Sequence, residues 1–134
     1  MGLDNGFIVK SRSRTITREM LPKGIMYPFE HDYNVGPEII YWRKCWGLRN
    51  HMVTTFGMTE DQYTLCIETV EDLAKVQDII RYFSSPKIWE AEGRSIWDWD
   101  VMRQWLKTDL QNLKLMEQFM RENPDVYLEF YDSY

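Results

Sequence analysis

A chain of 134 residues, 44% hydrophobic and 28% charged, is large enough for one packed domain and too apolar for a disordered tail. Its net charge of −5 excludes bulk nucleic-acid binding as an expectation, because that needs a broad basic face. No apolar run approaches the roughly 20 residues of a membrane helix, and no secretory apolar region precedes the first strand. The expectation is therefore one cytoplasmic domain, 1–134, with Cys45 and Cys66 as reduced thiols.

Gly6 to Lys10 reads as a first strand, rich in β-branched and aromatic residues. Arg14 to Met20 suits a turn of helix, capped by Thr15 or Thr17 and stopped by Pro22. Lys23 to Pro37 holds Gly24, Pro28, Asn34, Gly36 and Pro37, loop chemistry around a short strand at Ile25–Phe29. Glu38 to Tyr41 is either extended or the start of a helix. From Trp42 the period becomes helical: Cys45, Leu48, Met52 and Phe56 recur at three- and four-residue steps, and Gly57 stands at the C-terminal cap.

Tyr63 to Glu68 reads as a second strand, and Thr69 caps a helix whose inner face is Val70, Leu73, Gln77, Ile80 and Phe83 or Ser84, closed by Pro86. Ser95 is expected to cap a long helix to Glu122, with Trp99, Met102, Leu106, Leu110, Leu113, Met116 and Met120 as its inner stripe. Val126, Leu128 and Phe130 alternate with Tyr127, Glu129 and Tyr131 in a terminal strand. The fold class that follows is α+β: a small, mostly antiparallel sheet covered by three helices, the long C-terminal one followed by a strand.

Catalytic constellations are weak. His31, His51, Cys45 and Cys66 lack the close pairing that metal sites use. Asp98 and Asp100 would splay about 200° apart on a helix, and acids near a helix start are expected from its dipole alone. No catalytic residue, metal or cofactor is predicted.

Two segments remain as binding candidates. The basic-aromatic run Trp42, Arg43, Lys44, Trp46 and Arg49 could stack on a base and pair with a phosphate, although indoles that pack beside cations that solvate make the plainer reading. It is the basis for a small-ligand or nucleotide-binding function. Residues 1–53 carry eight Lys/Arg against five Asp/Glu, and residues 54–134 eight against sixteen, so Lys10, Arg12 and Arg14 could extend the same patch. On the long helix a second stripe runs Trp97, Val101, Trp105, Thr108, Asn112, Leu115 and Phe119. A helix apolar on two sides is either sandwiched within the domain, the plainer reading, or turns its second side to a partner. The polar interruptions suit a surface, and on that reading Trp97, Val101 and Trp105 are partly exposed and contact a partner or a second copy of the chain.

Met1-Gly2-Leu3-Asp4 at the start and Tyr41-Trp42-Arg43-Lys44 further on resemble a group of small phage and prophage proteins that begin Met-Gly-Leu-Asp and carry a Tyr-Trp-Arg-Lys stretch, a long helix and a Tyr-rich terminal strand. Here Asn5-Gly6-Phe7 replaces their usual Met-Tyr-Leu, and Cys45-Trp46-Gly47 replaces a more polar stretch. The resemblance implies no catalysis. It implies a phage-like origin. With the small size, the absent catalytic constellation and the 15% aromatic content, the expectation is an accessory binding protein acting in the cytoplasm of an infected or lysogenic bacterium, an inhibitor of a host or defence protein.

Overall fold

A computed structural model describes residues 2–32 and 35–134; Met1 of the opening motif, and Tyr33 and Asn34 of the predicted loop, lie outside the described residues. Four strands, β1 (Asp4–Ser11), β2 (Glu38–Arg43), β3 (Thr64–Ile67) and β4 (Val126–Ser133), form one antiparallel sheet in the order β2-β1-β4-β3. Alternation decides the two faces. Phe7, Val9, Ile40, Trp42, Ile67, Leu128 and Phe130 are buried on the helix side. Lys10 and Glu129 pair on the other face, where the Tyr131 hydroxyl also donates to Glu38 and that of Tyr41 to Asp4. Gly6 makes room for this network, because a Cβ there would lie 2.6 Å from the Tyr131 ring.

The helices are α1 (Trp46–Phe56), α2 (Val70–Phe83), α3 (Pro86–Glu92) and α4 (Trp99–Glu122). Thr69 caps α2 by accepting from the Asp72 amide, and Gly57 closes α1 in the left-handed conformation, φ 64°. Leu73, Val76, Ile80 and Phe83 of α2 meet Met102, Leu106, Leu113 and Met116 of α4 in one core cluster that includes the inner sheet face. This is the α+β architecture read from the sequence, with one helix more. Leu73 is wholly buried, so Leu73→Ala should cost on the order of 2–4 kcal/mol by urea titration. A loss under about 1 kcal/mol would contradict the layered core.

Several local expectations are corrected. Trp42 is in β2, not at a helix start, because Asn5 holds it in sheet register and Lys44, at φ 54°, turns the chain before Trp46. Arg14 to Met20 contracts to one 3₁₀ turn at Arg18–Met20. Residues 25–29 form no strand. Pro86 opens α3 rather than closing α2, with the Ser85 hydroxyl as its cap. Asp98, not Ser95, caps α4 through the Val101 amide at 3.1 Å; Ser95 bridges to Cys45 instead. On α4 the buried row runs through Asp109 rather than Leu110.

Candidate functional site

The five residues of the basic-aromatic run face three different ways. Trp42 is buried against Phe7, ring centroids 5.3 Å apart and nearly perpendicular, and its indole nitrogen donates to Asp109 Oδ2 at 3.0 Å. Arg43, opposite Asp4, is exposed, and Lys44 is half-buried at the turn that follows. Arg49 donates to Asp132 through Nη2 at 2.9 Å and Nε at 3.1 Å, and lies over the Tyr134 ring, near exposed Trp46. The run is thus a strand, a turn and a helix start, with its innermost indole in the core and its Arg49 guanidinium on a buried acid. Lys10, Arg12 and Arg14 are individually paired with Glu129, Glu68 and Asp125.

Trp97, Val101 and Trp105 do come together. Trp97 is half-buried, and its indole nitrogen donates to the Arg43 carbonyl at 2.8 Å. Trp105 packs on it with ring centroids 5.6 Å apart and remains 43% exposed, and Val101 is exposed one turn earlier. Further along the same stripe the outcome reverses. Asn112 is only 1% exposed: its Nδ2 donates to the Met26 and Ile39 carbonyls, and its Oδ1 accepts from the Met26 amide. The amide that suggested a surface in fact clamps residues 25–28 onto α4, satisfying backbone groups that have no sheet partner.

Between that clamped segment, β2 and α4 lies a cleft of about 380 Å³, lined by Met26, Tyr27, Pro28, Ile39, Tyr41, Gln104, Trp105, Thr108 and Asp109. Its size falls at the low end of small-molecule sites. Its walls are mainly apolar and aromatic; Asp109 alone among the lining residues is a carboxylic acid, and it is 8% exposed. Burial pushes that carboxyl up to about 7, and the Trp42 hydrogen bond offsets only part of the shift. Among the described residues no Lys, Arg or His pairs with it. Sequence reading missed this residue, though a signal was present. Asp109 is three residues from Leu106 and four from Leu113, so it falls on their arc, where an unpaired acid is costly and therefore informative.

A second, more polar cleft lies at Gly47, Asn50, His51, Thr54, Glu92 and Arg94. There His51 stacks on Tyr82, and its Nε2 is 3.9 Å from Glu92, too far for a hydrogen bond. Burial pushes the Cys45 thiol up to about 12, which removes the thiolate a nucleophile requires. No cluster of metal-ligating side chains occurs among the described residues, and none of their helices is long and apolar enough to cross a membrane. The chain matches no protein-family model, no curated protein and no solved structure.

Proposed function

We infer that this protein acts by binding another protein, through a surface centred on Trp105 with Val101 and Trp97 beside it. The observation that carries the reading is the Trp97–Trp105 pair: one indole is anchored to the Arg43 carbonyl, and the other packs on it while open to solvent. A large ring already held in place loses little conformational freedom on association, which is why tryptophan dominates interface energetics. The Met-Gly-Leu-Asp and Tyr-Trp-Arg-Lys resemblance adds the kind of target: a bacterial host or defence protein that a phage-derived accessory protein would block.

The test compares wild-type protein with Trp105→Ala as bait in bacterial lysate, with self-association followed in parallel by sedimentation. A stoichiometric partner should be retained by the wild type and weakened about 30-fold or more by the variant, the effect of a truncation of roughly 2 kcal/mol at an interface centre. Folding stability should change by less than about 1 kcal/mol, as for a half-exposed side chain. Collapse of stability with association intact would reject the surface, and self-association alone would replace the host target with a second copy of the chain.

A further inference from the structure

The Asp109 cleft makes chemical demands that the partner surface does not. Its carboxyl is held from below by the Trp42 indole, through Oδ2 only. The remaining oxygen opens on the cleft, in a residue that is only 8% exposed. A buried acid in that condition lacks a counter-charge. Tyr27, Tyr41 and Trp105 line the cleft, and aromatic rings favour a cation over a neutral group of the same shape; the Tyr27 ring already carries one, the Arg18 guanidinium. Gln104 and Thr108 on the rim can take further hydrogen bonds from a multi-proton donor.

We propose that this cleft is a binding site for a small organic cation, an ammonium or guanidinium group carried on a flat apolar body, with Asp109 as its counter-ion. The aromatic walls enclose the body while the head reaches the carboxylate, and an anion or an extended polar molecule is excluded by desolvation. The site is independent of the inferred protein partner, although Trp105 borders both.

Bound cation favours the ionised acid, so binding at neutral pH should release a proton and tighten as pH rises. The titratable groups bordering Asp109 are the Tyr27 and Tyr41 phenols and the Cys45 thiol. The first is raised by burial, and the other two stand at about 12. Arg18 lies over Tyr27 and is held by Asp32. None of these changes charge between pH 6 and 8, which leaves Asp109, near 7, as the group that titrates.

Calorimetry with tyramine and benzylamine, set against tyrosol and benzyl alcohol as uncharged counterparts, tests the site on the intact chain. At pH 8 each amine should bind at least about tenfold tighter than its alcohol, and about tenfold weaker at pH 6 than at pH 8. Asp109→Asn retains an acceptor for Trp42 and should abolish the preference for the amine. A ¹³C titration of the wild-type carboxyl provides a reading that does not depend on the variant folding: saturating tyramine should lower the Asp109 midpoint. Equal binding of amine and alcohol, no binding of either, or an unmoved midpoint would overturn the proposal.

Discussion

Folding stability should fall, relative to Asp109→Asn, as the pH is raised from about 4 to about 7, and then level off. The ordinary carboxyl value of 3.8 applies to the unfolded chain, and burial raises Asp109 to about 7 in the folded one. Between those values the folded state holds a proton that the unfolded state has released, so raising the pH favours unfolding. Below about 4 both states are protonated and above about 7 both are ionised, so no further change comes from this group. Each pKa unit corresponds to 1.36 kcal/mol, which makes the full difference on the order of 4 kcal/mol. The variant removes the titrating group and keeps an acceptor for the Trp42 indole, so other carboxylates cancel in the comparison. Urea titrations of both proteins at pH 4, 6 and 8 measure it. Parallel curves would mean that water reaches the Asp109 carboxylate freely.

Arg49→Ala should be among the most damaging single changes to a partly exposed side chain. Asp132 is 3% exposed, with one oxygen taken by Asn5 Nδ2 at 2.7 Å and the other by the Arg49 guanidinium. Removing the arginine leaves a buried carboxylate with one neutral donor, a loss of about 3–5 kcal/mol for pairs of this kind. Asp132→Asn in the same background should recover part of it, because the stranded charge is then gone. Equilibrium unfolding of the two single variants and the double variant reads the coupling. A loss under about 1 kcal/mol for Arg49→Ala would return the guanidinium to the solvated cations among which its spacing first placed it.

Elements whose signals are local were legible from the residues. The strict alternation of Val126 to Tyr131 can bury only one face, and Thr69 before Val70-Glu71-Asp72 satisfies helix amides whatever lies around it. Where two local patterns overlap, distant residues decide. Glu38 to Tyr41 suits a strand or a helix start and the helical period begins at Trp42, but Asn5 and Phe7 offer a strand edge more than 30 residues upstream, and pairing with it places Trp42 in the core. Trp105 and Asn112 occupy one helical stripe, yet one is exposed and the other is nearly inaccessible. The difference lies in residues 25–28, an irregular segment with no periodicity of its own to announce where it docks. Counting hydrophobic side chains favours Leu110, whereas the inner arc of α4 is defined by position and includes Asp109.

The sheet order has a consequence for synthesis. β1 lies between β2 and β4, and it meets β4 along its whole length, with Asn5 and Asp132 joined across 127 positions of sequence. On the ribosome β1 and β2 emerge early and can form a hairpin. The edge beside Phe7 and Val9 then stays open until β4 has left the exit tunnel. Throughout that interval the chain presents an unpaired apolar strand, the state most prone to capture by chaperones or by other nascent chains. Long-range closure of this kind is also slow, so folding of the protein is expected to be sensitive to the supply of holdases.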